Sequence, residues 1–208
     1  IFELDGPGFD IYFHLGDIYN LRNEYDISIK FFQKALKEKE FHVKSLIGIG
    51  KSLSSIEKWY EAIHYFRKAI SVEKDNIICL NFLAKAEFEI GNIISSKEIF
   101  NEALKLNPND KEIYLDYSFV CYSNDDFEKS IEILKNGINE LPKESDLYYR
   151  LVIYLLKAGK YKESISVLES ALSINFNNHY VLFEFLPELN ENSALYRIIN
   201  QFKENRLS

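Results

Sequence analysis

The apolar positions of this 208-residue chain fall into pairs of stripes at helical spacing. In one pair Leu46, Ile49, Gly50 and Leu53 are followed by Trp59, Ala62, Ile63, Phe66, Ala69 and Ile70. Steps of three and four place each set on one face of a helix. Short breaks separate the stripes, at Ser54 to Glu57, Gly91-Asn92, Asn124 to Asp126 and Gly159-Lys160, so the predicted unit is a helical hairpin. The pattern repeats every 34 residues: Ala35, Ala69, Ala103, Gly137 and Ala171 form one column, and Phe32, Phe66, Phe100, Leu134 and Leu168 another. Gly16, Gly50, Ala84, Ser118 and Val152 form a third, almost entirely small, and small residues at fixed places mark points where two helix axes cross closely. An unbroken period of this length predicts an all-α solenoid of antiparallel helix pairs.

These residues resemble the tetratricopeptide repeat family. The first unit carries Tyr12, Leu15-Gly16, Tyr19, Tyr25, Phe32 and Ala35, the third ends in Leu106-Asn107-Pro108-Asn109, and the fourth has Leu141-Pro142. The resemblance implies a right-handed superhelix of five repeats over 9–42, 43–76, 77–110, 111–144 and 145–178. Two departures stand out. Glu87 replaces the first-helix Tyr of the third unit, and Ser replaces the second-helix Ala in four units; both are expected to weaken packing locally.

Residues 1–8 are expected to be the tail of a preceding repeat and its turn, with Ile1 and Leu4 ending a helix before Gly6-Pro7-Gly8. This expectation makes the chain part of a longer array. After His179 a divergent half repeat begins with Leu182 and Phe185 and stops at Pro187. A capping helix follows over Ser193 to Asn205, with Leu195, Ile198, Ile199 and Phe202 as its stripe and Asn192 or Ser193 as its N-cap.

Composition narrows the function. With 47% hydrophobic and 15% aromatic residues the chain has ample material for a continuous core, and a formal charge of −7 argues against wrapping a nucleic-acid backbone. Cys79 and Cys121 lack metal-ligand or CxxC spacing and read as small buried apolar residues. No run is long enough to span a membrane, and the compartment stays open with the cytoplasm favoured. Gly48-Ile49-Gly50-Lys51-Ser52 looks like the end of a phosphate-binding loop, but the first required glycine falls at Ser45 and no strand precedes it. His14, His42, His64 and His179 are scattered, and Asp125-Asp126 reads as a solvated loop. No catalytic residue, cofactor or metal site is expected.

Function then rests on surface shape. The resemblance implies that first helices line a concave groove through their second, fifth, ninth and twelfth positions. Lys51 and Lys85 would supply positive charge at one end, while Phe88, Leu115, Phe119, Tyr122, Tyr149 and Ile153 would form an apolar stretch. The Lys and Asn set with which some family members grip chaperone C-termini is missing, since the fifth and ninth positions read Phe13/Asp17, Ile47/Lys51, Asn81/Lys85, Leu115/Phe119 and Tyr149/Ile153. The expectation is a non-catalytic scaffold that holds a protein or peptide partner, with Phe119 and Tyr149 as anchors. The alternative is a recruitment region of a larger enzyme or membrane-associated protein. Self-association through an open repeat edge is a third possibility.

Overall fold

A computed structural model describes residues 8–187 and 194–207. Among them the chain is α-helical without strands, and it forms two compact units, Ile1–Leu106 and Asn107–Ser208.

The first unit contains α1 (Phe9–Leu21), α2 (Tyr25–Glu38), α3 (Val43–Ser55), α4 (Trp59–Val72), α5 (Ile77–Glu89) and α6 (Ile93–Leu106). They pair as hairpins α1–α2, α3–α4 and α5–α6, with α2 against α3, α4 against α5, and α1, α3 and α5 side by side. The second unit contains α7 (Lys111–Ser123), α8 (Phe127–Glu140), α9 (Ser145–Lys157) and α10 (Tyr161–Ile174). A short 3-10 turn, Phe176–His179, then leads into α11 (Tyr180–Phe185), and α12 (Ala194–Leu207) follows. Here α8 packs on α9, α11 lies against α9, and α12 against α10. Leu182, Leu195 and Ile199 are buried, and Phe202 stacks on Phe176. Ile1, Leu4, Gly6, Pro7, Asn192 and Ser193 lie outside the described residues.

The small-residue columns do mark close crossings. A Cβ on Gly16 would sit 2.6 Å from the Phe32 ring, and one on Gly50 only 2.4 Å from Phe66. Both rings are buried and cannot retreat without disturbing the core. In the second unit Gly137 gives the same room to Tyr114, where a Cβ would come within 2.7 Å.

Every hairpin turns in the same way. Asn23, Glu57, Gly91, Asp125 and Gly159 all have left-handed backbone, with φ of 62°, 59°, 83°, 58° and 73°. The next amide then reaches back to a first-helix carbonyl: Glu24 to Tyr19, Lys58 to Leu53, Asn92 to Glu87, Asp126 to Cys121, and Lys160 to Leu155, at 2.8–2.9 Å. This is the Schellman closure, which satisfies a carbonyl the helix end would leave unpaired. At the helix starts, the Asn76 side chain accepts from the Cys79 amide (2.9 Å) and Asp110 from the Glu112 amide (3.0 Å).

Glu87 corrects one expectation. Its side chain is fully buried yet fully occupied: Arg67 Nη2 donates to Oε1 at 2.6 Å and Asn92 Nδ2 to Oε2 at 2.8 Å. A polar clasp between α4, α5 and the following turn thus stands where the family has an aromatic ring. Three of the four column serines are also satisfied, because Ser28, Ser130 and Ser164 donate to the Gly16, Phe127 and Tyr161 carbonyls at 2.8 Å. Ser96 Oγ alone of the four is buried without a hydrogen-bond partner. Cys79 and Cys121 are buried free thiols.

Candidate functional site

In the first unit, the common face of α1, α3 and α5 carries two adjoining cavities. One, of about 490 Å³, is lined among others by Asn20, Lys51, Trp59, Phe82, Lys85 and Glu89. The other, of about 400 Å³, is lined among others by Phe13, Asp17, Lys44, Ile47 and Ile78. Asn20 and Lys51 belong to both, so Lys51 stands at the middle of the face.

The floor is aromatic and the walls are cationic. Phe82 is stacked on buried Phe66, with ring centroids 5.9 Å apart. Lys51 Nζ lies 4.9 Å and Lys85 Nζ 5.9 Å from the Phe82 ring centre, so a single ring attracts two ammonium groups. Asp17 is the acidic member of the second cavity. Its partial burial raises its carboxyl above the ordinary carboxylate value, against the lowering influence of His14, Lys51, Lys44 and His42. Burial also lowers the pKa of His42, with Lys39 and Lys44 adding to the effect, which favours the neutral imidazole. Asn20 is held by its own bond from Nδ2 to Ser52 Oγ, 2.7 Å long.

Of the residues expected from the sequence, Lys51 and Lys85 meet at Phe82, and Phe88 is half-buried on the same helix as Lys85. In the second unit Leu115 is half-buried and Phe119 is 42% exposed on α7. Tyr122 is stacked flat on Tyr154 at 4.4 Å and meets the edge of Phe127.

Tyr149 and Ile153 correct the expectation that they are open to a ligand. Both are buried, because α11 and the 3-10 turn lie against α9. The Tyr149 hydroxyl donates to the Asn175 carbonyl at 2.8 Å, which ties α9 to the end of α10. Desolvation holds the phenol well above its ordinary pKa. Tyr149 is therefore part of the core and is unsuited to act as an anchor.

Phe82 was not legible as a site residue. It sits beside the buried stripe of Cys79, Leu80 and Leu83, one position past the expected groove residue Asn81, and only the cation contacts single it out. The phosphate-loop look-alike is ordinary helix: Gly48 and Gly50 lie within α3, each against a buried ring.

The helical hairpins, the left-handed turns and the small-residue crossings define a class of helical-repeat proteins. The profile of the tetratricopeptide repeat family matches residues 9–42, 79–110 and 145–178, and the chain is a tetratricopeptide-repeat protein. It is similar to the TPR repeat-containing protein YpiA of Bacillus subtilis (strain 168), with 22% identity over 203 residues, covering 93% of this chain and 46% of that protein. It is also similar to an N-terminal acetyltransferase A complex subunit-like protein of Schizosaccharomyces pombe, 26% identical over 175 residues, covering 82% of this chain and 25% of that one. The chain thus spans less than half the length of these curated relatives. A crystal structure of the MamA protein superposes with a TM-score of 0.67 at 22% identity, over 80% of this chain and 91% of that one, a likeness of fold. Repeats of this family typically serve as non-catalytic scaffolds for protein–protein interaction. Among the described residues, no helix is long and apolar enough to cross a membrane.

Proposed function

We propose that this chain is a non-catalytic scaffold that holds an extended segment of a partner protein on the α1–α3–α5 face of its first unit. The observation that carries this reading is the pair of lysines over Phe82 in the first cavity, one of which, Lys51, also lines the second. A segment with an aliphatic or aromatic side chain for the ring, and a carboxylate for the ammonium groups, fits that chemistry. The helix bounds support a division into five repeats at 9–42, 43–76, 77–110, 111–144 and 145–178. The half-exposed ring of Phe119 and its α7 neighbour Leu115 form a separate apolar surface on the second unit.

A displayed library of random peptides tests the reading. Selection on the intact chain is expected to enrich peptides that combine acidic and large apolar residues. Their binding should fall about tenfold or more in a Lys51→Glu, Lys85→Glu variant that melts as the parent does. Peptides that bind parent and variant equally would place recognition on another face. A second reading, recruitment within a larger enzyme assembly, draws support from the similarity to an acetyltransferase complex subunit-like protein of which this chain covers a quarter. Co-purification with a catalytic subunit, lost in the same variant, would join the two readings.

A further inference from the structure

The two cavities of the α1–α3–α5 face meet at Asn20, which lines both and is half-buried. Its side chain is turned toward α3, where Nδ2 donates to Ser52 Oγ at 2.7 Å. Ser52 is fully buried and donates to the Gly48 carbonyl at 3.0 Å. It also lies 3.1 Å from Ser28 Oγ, which in turn donates to the Gly16 carbonyl at 2.8 Å. Each hydroxyl has a single proton, and here each is taken by a carbonyl. Ser52 can therefore only accept from Asn20. Turning the amide over would set Oδ1 against Ser52 and strip the proton either from that contact or from the bond to Gly48. The serine chain thus fixes which edge of the Asn20 amide faces inward, and Oδ1 is left at the cavity lining.

Other neutral polar side chains of the lining are turned to local partners. Ser54 and Ser55 donate to the Gly50 and Lys51 carbonyls of their own helix, the Asn23 amide oxygen accepts from the Tyr25 hydroxyl, and Asn76 caps α5. Asn20 Oδ1, in contrast, has no donor among the described residues. A held acceptor where two cavities join suits a group that an extended segment presents between its side chains, the backbone N–H. Because the amide is oriented in advance, little side-chain freedom is lost when it is used.

We infer that Asn20 is a specificity-determining residue of this face, a role that rests on the peptide-binding reading. Its Oδ1 accepts the backbone N–H that lies between the residue seated in the first cavity and the residue seated in the second. Ser52 is its positioning residue, held in turn by the Gly48 carbonyl and Ser28. Lysines and an aromatic floor select a carboxylate and an apolar side chain, whereas Asn20 adds a demand of another kind. The partner segment must offer a free N–H at one fixed point, so proline is excluded there.

The test uses the whole chain and a peptide, enriched by the selection above, whose binding Lys51→Glu, Lys85→Glu weakens. Its amides are replaced one at a time by esters, which keep the shape and remove the N–H. One ester is expected to weaken binding to the parent about fivefold or more and to leave binding to an Asn20→Ala chain nearly unchanged, a coupling that the double-mutant cycle reads directly. Ser52→Ala should fold, since buried Ala86 holds the same place one period later. In that chain the Asn20 side-chain amide resonances should shift and the ester penalty should shrink at least about twofold. Equal ester penalties on the parent and on Asn20→Ala, or no ester that matters, would overturn the inference and leave the peptide-binding reading standing. An ester penalty unchanged in Ser52→Ala would overturn the positioning role. A selection that yields no peptide dependent on Lys51 and Lys85 would overturn both the reading and the inference.

Discussion

Replacing one member of the Glu87 clasp should be worse than removing the charge altogether. In Arg67→Met the carboxylate stays fully buried with Asn92 Nδ2 as its remaining donor in the clasp. Breaking a buried ion pair from one side costs about 3–5 kcal/mol. Arg67 is 64% exposed, however, so water screens the outer side of the pair and a cost of about 1–3 kcal/mol is expected. In Glu87→Leu the opposite holds. The same column has Leu53 and Leu155, both buried, so leucine suits the site, and the exposed guanidinium left behind is solvated at little cost. That variant should lie within about 1 kcal/mol of the parent on either side. The double variant should then be as stable as Glu87→Leu alone, a coupling of roughly 1–3 kcal/mol that urea melts of all four proteins measure. Because repeat arrays do not always unfold in one step, exchange of amides in α4 and α5 is the companion readout. A Glu87→Leu loss larger than that of Arg67→Met, with additive effects in the double, would refute the reasoning.

Three further outcomes follow from the same contacts. Gly50→Ala should destabilise despite the better helix propensity of alanine, by roughly 1–3 kcal/mol, because its Cβ would meet the buried Phe66 ring at 2.4 Å; thermal melts should show the loss and Phe66→Leu should recover part of it. Cys79 has its thiol pushed up from 9.0 to about 12 by burial, with Glu73 adding to the effect, so it should resist alkylation until the protein unfolds. The unfolded thiol ionises first, so this group should lower stability as pH rises from about 9 toward 12, an effect that Cys79→Ser removes from the pH profile. Tyr149→Glu should unfold the second unit's core, whereas Phe119→Glu should cost under about 1 kcal/mol; equal losses by circular dichroism would contradict the burial of one and the exposure of the other.

The hairpins were legible because each rests on local chemistry. Stripes at three and four, and glycine or alanine at a fixed place, suffice to set helix pairs such as α3–α4, and Gly50 against Phe66 is the contact its column implies. The site was less legible because it depends on neighbours distant in sequence. Tyr149 and Ile153 occupy groove positions in the repeat, yet α11, a six-residue helix after an irregular turn, covers them. Nothing in the α9 stripe signals that cover. Glu87 looked like a defect because its compensating groups, Arg67 and Asn92, lie 20 residues before it and five after, outside the pattern that defines the repeat. Phe82 became visible only through the lysine of a different hairpin.

The left-handed residue at each turn is glycine at only two of the five, Gly91 and Gly159. A residue with a Cβ is disfavoured there by roughly 1–2 kcal/mol, less for Asn and Asp, whose short side chains bond locally, and most fully for Glu57. Hairpins closed by the same amide-to-carbonyl bond are thus held by latches of unequal spring. The α3–α4 latch carries the greatest tension, so its turn should open more readily than a glycine-closed turn over an equally packed core.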